Sequence, residues 1–276
     1  MCDIVLDLPL RLGRTIGSGT FSTIYKSVDD SQGSVVKVTQ RNTWLALVEK
    51  YGSSLTFTSE MEMLSKLSHP NIIKLLSYVA TYSSVYMELP YMTRGSLYDY
   101  IERSGPCNDT DARALGSEIL SAINHAHLHD IVHRDIKLEN VLCTGNATPL
   151  SLLLSDFGLS KHVGKGCTTL CGTPFYQAPE LHAAHKIYPL PGYRFEVDAW
   201  SFGVLYYLLH YQEFPFDWDS RGNPDFTTMW QSSPNTFVPP IHVAAQRILT
   251  GLLTLAPAER LGLHDLPQHH WLRSNP

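Results

Sequence analysis

Three short motifs decide the fold of this chain: HRDIKLEN at residues 133–140, DFG at residues 156–158 and APE at residues 178–180. Upstream of HRDIKLEN, apolar residues recur at helical spacing after a capping sequence at residues 108–111. They are Leu115, Ile119, Ala122 and Ala126. Downstream of APE, a second apolar stripe consists of Val197, Trp200, Val204, Leu205 and Leu208. The motifs therefore lie in a mainly helical half of the chain.

The residues before this half have the pattern of β-strands. Leu10, Leu12 and Ile16 alternate, and the β-branched runs FSTIYKSV and SVVKVTQ are separated by the turn sequence DDSQG. After Leu89 the apolar period changes to 3.6 residues. The sequence predicts an α+β fold of two lobes. A small β-rich N-terminal lobe spans residues 10–89, a hinge spans 90–95, and a larger, mainly helical lobe spans 96–273.

Composition limits the classes of function. The 276 residues are 43% hydrophobic and 17% charged, which is enough apolar surface for a globular chain throughout. The net charge is −5 without a run of Lys or Arg, so nucleic acid and anionic membranes are not expected partners. The first ten residues, MCDIVLDLPL, carry acids where a signal peptide has basic residues. We expect an intracellular protein, cytoplasmic, nuclear or both.

The segment GSGTFS at residues 17–22 lies between two predicted strands. In that setting glycines favour a hairpin that closes over phosphates, because they let backbone N–H groups approach the oxygens. An ordinary hairpin turn is the alternative for this segment taken alone. Lys37 strengthens the phosphate interpretation, since a cation among the valines of SVVKV needs an anionic partner.

Helical phase in EMEMLSKLSHPN selects that partner. The positions three, four and seven residues beyond Glu60 are apolar, whereas those beyond Glu62 are polar. Glu60 is therefore predicted on the buried stripe, paired with Lys37, and Glu62 on a solvated face.

Taken in chain order, the glycine segment, Lys37, Glu60, HRDIKLEN, DFG and APE resemble the eukaryotic-type protein kinases, from Leu10 to Arg273. Lys137 and the segment TLCGTPFYQAPE resemble the serine/threonine kinases in particular. This resemblance implies the bilobal kinase fold and transfer of the γ-phosphate of ATP to serine or threonine hydroxyls of a protein substrate, with Mg²⁺ or alternatively Mn²⁺. A weaker resemblance, through VDAWSFGVLYYLL and FPFDWDSRGNPDFTTMW, is to the SH3-binding-domain kinases.

The resemblance also assigns residue roles. Asp135 accepts or orients the proton of the substrate hydroxyl, Lys137 reaches the transferred phosphoryl group, and Thr173 contacts both. Asn140 and Asp156 hold the metal ions. ATP is bound by Ile16, Gly17, Ser18, Gly19, Thr20, Phe21, Ser22, Ile24, Val35, Lys37, Glu60, Leu89 and Met92. Glu180 and Arg260 form an ion pair, and the helix that begins near Asp198 anchors the catalytic loop.

The chain departs from the family pattern at several points. Ser22 replaces the third glycine, SVVK replaces VAIK, and 23 residues separate Lys37 from Glu60, with an extra and potentially helical element between them. An ungapped alignment makes Leu89 the gatekeeper and residues 90–92 the hinge, and this version is preferred. Anchoring on MEL makes Met87 the gatekeeper instead. A pseudokinase scaffold and a small-molecule phosphotransferase of similar fold are the competing functions.

Regulation is predicted at Thr169, four residues before Thr173. By resemblance, a phosphate there would lie opposite Arg134, with Lys161 as a second cation. Thr168 is the rival site, and an unmodified threonine pair is the alternative. The phosphate would come from an upstream kinase or from autophosphorylation.

Overall fold

The computed structural model describes residues 10–19, 22–28, 33–51, 57–144, 150–163, 172–182, 194–228 and 241–273. The first part of the chain forms a five-stranded antiparallel sheet in the order β1-β2-β3-β5-β4. Its strands are β1 (Leu12–Ser18), β2 (Ser22–Ser27), β3 (Ser34–Gln40), β4 (Ser77–Ala80) and β5 (Ser84–Pro90). Two helices follow β3, namely α1 (Arg41–Tyr51) and α2 (Ser59–Leu64).

The remaining described residues are mainly helical, which confirms the predicted two-lobed α+β fold. The helices are α3 (Leu97–Ser104), α4 (Asp109–Leu128), α5 (Glu196–Tyr211), α6 (Val243–Leu252) and α7 (His270–Arg273). Short strand pairs lie between and beside them: β6 (Ile131–Val132) with β9 (Lys161–His162), β7 (Val141–Thr144) with β8 (Ser151–Leu154), and β10 (Asp217–Trp218) with β11 (Pro224–Asp225).

Helix α5 forms the centre of the helical lobe. Apolar residues surround it on all sides, so that 13 of its 16 residues are buried, including Trp200 and Tyr206. Such a helix is stable only inside a core, because a helix exposed to water needs a polar face. Helix α4 packs beside it and begins as predicted, since the Asn108 side chain accepts a hydrogen bond from the Asp111 amide.

The connection between the lobes is short. Strand β5 continues through Pro90, and the Tyr91 amide donates to the Gly33 carbonyl at 2.9 Å. Helix α3 then begins after Ser96, which forms a capping box with Asp99. Residues 90–95 therefore contain the end of a strand as well as a connection, and the lobe boundaries themselves remain a prediction.

The additional element between Lys37 and Glu60 is helical, as the sequence indicated. Helix α1 starts at the residue after β3, and the Arg41 amide donates to the Ser83 carbonyl at 2.8 Å. Among the residues that the structure describes, no helix combines the length and apolar character needed to cross a membrane.

A buried ion pair fastens the APE motif to the helical lobe. Arg260 donates two parallel hydrogen bonds to the Glu180 carboxylate, at 2.7 and 2.8 Å, and both side chains are almost wholly buried. Arg260 also donates to the Glu196 carbonyl at 2.8 Å and lies over the ring of Trp200. The predicted pairing of these two residues is present.

Removing one partner leaves a buried charge without its counterion. We expect Arg260→Met to lower the free energy of unfolding by about 3–5 kcal/mol, measured by urea denaturation. Arg247→Met, on the exposed face of α6, is the matched control and should change it by less than about 0.5 kcal/mol. A loss at Arg260 no larger than that at Arg247 would contradict this prediction.

Candidate active site

Lys37 joins three distant segments of the chain. Its ammonium lies 2.6 Å from a carboxylate oxygen of Glu60 in α2 and 2.8 Å from Oδ1 of Asp156 in the DFG motif. The side chains of Lys37 and Glu60 are only 11% and 12% exposed. The helical-phase prediction of this pair is confirmed. Glu62 is half-buried and accepts a hydrogen bond from the Thr58 hydroxyl, so it is less solvated than expected.

The pKa values of this cluster follow from burial and mutual attraction. Burial acts to lower the pKa of Lys37, but the carboxylates of Asp156 and Glu60 outweigh it and raise the pKa. The ammonium of Lys37 lowers the pKa of Asp156 to about 2. Burial raises the pKa of Glu60, and Lys37 opposes that shift. Lys37 is therefore a fixed cation at neutral pH, and Asp156 a fixed anion.

The HRDIKLEN segment brings Asp135, Lys137 and Asn140 together with Thr173. Lys137 lies 2.8 Å from Oδ2 of Asp135 and 2.7 Å from the Thr173 hydroxyl. The Thr173 amide and hydroxyl both donate to Oδ1 of Asp135 at 2.9 Å. Asn140 donates to the Asp135 carbonyl and to its Oδ2 at 2.8 and 2.9 Å. Because both carboxylate oxygens of Asp135 have partners, these contacts fix the orientation of its side chain.

Gly172 allows the Thr173 segment to approach this loop. Its φ is +104°, a conformation that other residues rarely adopt, and a Cβ there would lie 2.5 Å from the Arg134 carbonyl. A side chain at this position would push Thr173 away from Asp135.

Asp198, at the start of α5, anchors the backbone of the HRDIKLEN segment. Its carboxylate accepts hydrogen bonds from the His133 and Arg134 amides, each at 2.8 Å, and a His127 ring nitrogen lies at the same distance. Arg134 has a φ of +70°, and the side chain of Asp198 is wholly buried. A buried carboxylate with three partners holds the backbone in a conformation that it would otherwise seldom adopt.

His133 closes this network toward the DFG motif. Its Nδ1 accepts from the Asp135 amide at 3.3 Å, and its Nε2 donates to the Ser155 carbonyl at 3.1 Å. Burial lowers the pKa of His133, which matches the neutral tautomer that these bonds require. The ring also meets Phe157 edge to face, with centroids 4.6 Å apart.

These residues surround a cavity of about 250 Å³ between the sheet and the catalytic loop. Among the predicted site residues, Gly19, Ser22, Lys37, Glu60, Asp135, Lys137 and Asp156 line it. Strand register explains the contribution of the sheet. Ser22 lies opposite Thr39, Thr39 opposite Val85, and Lys37 opposite Met87. Paired residues of an antiparallel sheet share a face, so all five point into the cavity.

The same face continues toward the connection between the lobes. By register and alternation it also carries Gly17, Ile24, Val35 and Leu89. Leu89 lies opposite Val35, while Met87 lies opposite Lys37, so the two gatekeeper candidates occupy successive positions on one surface. Met92 follows β5, and its carbonyl accepts from the Gly95 amide at 3.3 Å. Ser18 ends β1, and Ile16 within it is half-buried.

Some predicted residues lie outside the described ranges. Thr20 and Phe21 of the glycine segment are among them, as are Thr168 and Thr169. The two cations expected to bind a phosphate at Thr169 are described. Arg134 is buried and donates from Nε to the Leu159 carbonyl at 2.5 Å, while Lys161 is buried in β9.

Sequence reasoning missed Thr39, Val85 and Leu159, which line the cavity. It also missed Trp44 in α1, Phe57 and Met61. The signal that could have found them is the long spacing between Lys37 and Glu60, because an inserted helix must pack its apolar residues against something. His127 was also missed, since nothing in its local sequence marks it as a partner of Asp198.

The oxygen atoms of Asn140 and Asp156 suit a hard divalent cation. The side-chain amide group of Asn140 donates both of its hydrogen bonds to Asp135, which leaves the side-chain oxygen Oδ1 of Asn140 for a ligand. Across the described ranges, no group of three or more His, Cys, Asp or Glu side chains is arranged to hold a metal. One amide and one carboxylate fit Mg²⁺ that is also coordinated by phosphates and water.

Comparison with known proteins gives a consistent result. The family model for the protein kinase domain matches residues 10–272. NUAK family SNF1-like kinase 2 of Rattus norvegicus is 34% identical over 261 residues, which cover 94% of this chain and 39% of that protein. Serine/threonine-protein kinase DCLK3 of Homo sapiens is 33% identical over 269 residues, which cover 95% and 40%. Serine/threonine-protein kinase SIK1 of Rattus norvegicus is 31% identical over 282 residues, which cover 97% and 34%.

This chain thus spans 34–40% of the length of these relatives. They do not confirm the resemblance to the SH3-binding-domain kinases. The match to the family model covers nearly every residue, and two of these relatives, DCLK3 and SIK1, are serine/threonine-protein kinases by name. The chain belongs to the protein kinase domain family and is a eukaryotic-type serine/threonine protein kinase catalytic domain.

Proposed function

We propose that this chain transfers the γ-phosphate of ATP to serine and threonine hydroxyls of a protein substrate. The observation that carries the proposal is the double pairing of Lys37 with Glu60 and Asp156, at 2.6 and 2.8 Å. It places a fixed cation and a fixed anion in one cavity with Asp135 and Lys137. Phosphoryl transfer needs charges held in position more than it needs covalent chemistry from the protein.

Each residue has a distinct role in this proposal. Lys37 steadies the α- and β-phosphates, and the glycine segment covers them. Asp135 orients the acceptor hydroxyl and accepts its proton, while Lys137 neutralises charge on the transferred group. Thr173, bonded to both Asp135 and Lys137, keeps these two groups in register with the bound substrate segment. Preorganised polar groups of this kind require little rearrangement during the reaction.

Asn140 and Asp156 are the proposed metal ligands. When bound, Mg²⁺ would offset the negative charge of the phosphates, and Mn²⁺ is an alternative ion with similar oxygen ligands. Because Lys37 keeps the pKa of Asp156 at about 2, this ligand is ionised across the physiological range. The apolar sheet face that carries Val35 and Leu89 is the proposed surface for adenine. The backbone amide and carbonyl of Met92 would form hydrogen bonds with it.

Two competing functions have less support. A scaffold without phosphotransferase activity would be indicated by loss of Lys37, Asp135 or Asp156, and all three are present in one cavity. A small-molecule phosphotransferase would lack the platform in which Thr173 contacts Asp135. Phosphorylation of a protein is therefore the function that the geometry favours.

The metal assignment gives the most direct test. Asp156→Asn removes the charge that binds the cation, so transfer of label from γ-labelled ATP to a degenerate peptide library should fall to background in the presence of Mg²⁺. Asp265→Asn, with a side chain 66% exposed and distant from the cavity lining, is the matched control and should retain full activity. Undiminished transfer by a folded Asp156→Asn protein would falsify the assignment.

The Lys37 and Glu60 pair can be tested by neighbouring substitutions. We expect Lys37→Met to lower turnover by about 100-fold or more, because the phosphates lose their cation. Glu60→Gln should lower it by about tenfold, because the ammonium then loses its orienting charge. Glu62→Gln should have less than about a twofold effect on steady-state turnover. If Glu62→Gln is the more harmful glutamate variant, the pairing is wrong.

We further propose that phosphorylation of Thr169 activates the enzyme. A phosphate adds about two negative charges and three acceptor oxygens, which suit the guanidinium of Arg134 and the ammonium of Lys161. Mass spectrometry of active protein should find phosphate at Thr169, and Thr169→Ala should lower activity more than Thr168→Ala. Full activity of Thr169→Ala, together with unmodified Thr169 in the wild type, would contradict the proposal.

A further inference from the structure

We propose that Trp44, in the helix inserted after β3, is a positioning residue that holds Glu60 against Lys37. The inference rests on the proposed phosphotransfer function and adds a residue that supports the ion pair between Lys37 and Glu60. Trp44 need not touch the reacting groups to have this effect. It acts through Phe57 and helix α2.

Helix α2 needs support from outside itself. It has only six residues, fewer than two turns, and the Thr58 hydroxyl before it bonds to Glu62. Helices of this length are not stable alone in water, so tertiary contacts must set their position. The charge of Glu60 is also held at a cost, since burial raises its pKa. A small displacement of α2 would therefore separate the two charges.

Helix α1 is fixed to the strand that carries Lys37. It begins directly after β3, and the Arg41 amide and guanidinium donate to the carbonyls of Ser83 and Tyr82 at 2.8 and 3.2 Å. The Arg41 guanidinium also lies 4.5 Å from the centre of the Tyr82 ring. These contacts join the first turn of α1 to the turn between β4 and β5. Trp44 is the fourth residue of α1 and ends that first helical turn.

Trp44 meets the segment that leads into α2. Its ring and that of Phe57 have centroids 5.9 Å apart and planes inclined by 67°, an edge-to-face contact. Phe57 precedes Glu60 by three residues. Trp44, Phe57 and Met61 line the same cavity as Lys37 and Glu60. A continuous path of contacts thus runs from β3 through α1 to α2 and returns to β3 through the ion pair.

The loss of this support has a specific consequence. Lys37 also lies 2.8 Å from Asp156, so a released ammonium keeps one partner and remains in the cavity. ATP would still bind next to the Lys37 ammonium, but that ammonium would be oriented by Asp156 alone and no longer by Glu60. Turnover should fall more than the affinity for ATP, whereas general destabilisation would reduce the amount of active protein and leave kcat per folded molecule and KM unchanged.

The first experiment compares Trp44→Ala, Trp44→Phe and Leu45→Ala. Leu45 is the adjacent control, 48% exposed in the same helix. With active-site titration, Trp44→Ala should lower kcat by about tenfold, the loss expected for Glu60→Gln, and change KM for ATP by less than about threefold. Trp44→Phe should recover most of the loss, and Leu45→Ala should match the wild type. A kcat for Trp44→Ala equal to that for Leu45→Ala would overturn the proposal.

The second experiment is a double-mutant cycle with Glu60→Gln. If Trp44 acts through Glu60, Trp44→Ala should lower kcat by less than about threefold in the Glu60→Gln background. An equal effect in both backgrounds would overturn the proposal. Should Trp44→Ala fail to fold, Phe57→Leu breaks the same edge contact and replaces it in the cycle, with the same outcomes.

A measurement without catalysis separates this proposal from the proposed function. Urea unfolding of the wild type, the three single variants and the two double variants should give non-additive effects for Trp44→Ala with Glu60→Gln, and additive effects for Leu45→Ala with Glu60→Gln. Non-additive unfolding in an inactive wild type would refute phosphotransfer and leave the support of Glu60 standing. Additive unfolding for both pairs would refute the support by Trp44, whatever the activity.

Discussion

A single ammonium group connects the parts of the cavity. Lys37 bonds to Glu60, 23 residues away, and to Asp156, 119 residues away, so that one side chain links the sheet, helix α2 and the DFG motif. The nearly buried Glu60 carboxylate is not stable in its position without the cation, because a buried charge needs a partner. The side chain of Asp156 is 48% exposed, and its low pKa depends on the same ammonium group. The position of α2 and the conformation of the DFG motif are therefore coupled through Lys37. A change in either segment alters the set of partners that Lys37 keeps.

The catalytic loop is held by a buried anion, whereas the cavity is held together by a cation. The Asp198 carboxylate is wholly buried and takes three hydrogen-bonding partners at 2.8 Å, among them two consecutive backbone amides. Arg260 and Glu180 fix the APE motif nearby with both side chains buried. These polar groups lie within a core built around α5, where an unsatisfied group would be costly. Asp135 is consequently held by a rigid base, whereas Glu60 depends on a short helix.

The difference between the two lobes explains what the sequence could predict. Glu60 was identifiable because helical phase depends only on neighbouring residues, and α5 because its residues are apolar on all sides. The contact between Trp44 and Phe57 was not, since it depends on how the inserted helix packs against the segment that precedes α2. The two gatekeeper candidates, Leu89 and Met87, also share a sheet face, so alternation alone could not separate them. The direction of the Asp135 carboxylate likewise depends on Gly172 and its positive φ, which brings Thr173 close.

Control of such a site is most effective where the structure is least constrained. Moving Asp135 would break several hydrogen bonds at once, a buried one from Asn140 and two partly buried ones from Thr173. Moving Glu60 would break its bond to Lys37, which keeps Asp156 as a second partner. The energetic barrier to displacement is therefore lower on the side of α2. An aromatic contact from a helix inserted on that side lies where a modest packing change can alter the alignment of the charges without disturbing the base that holds Asp135.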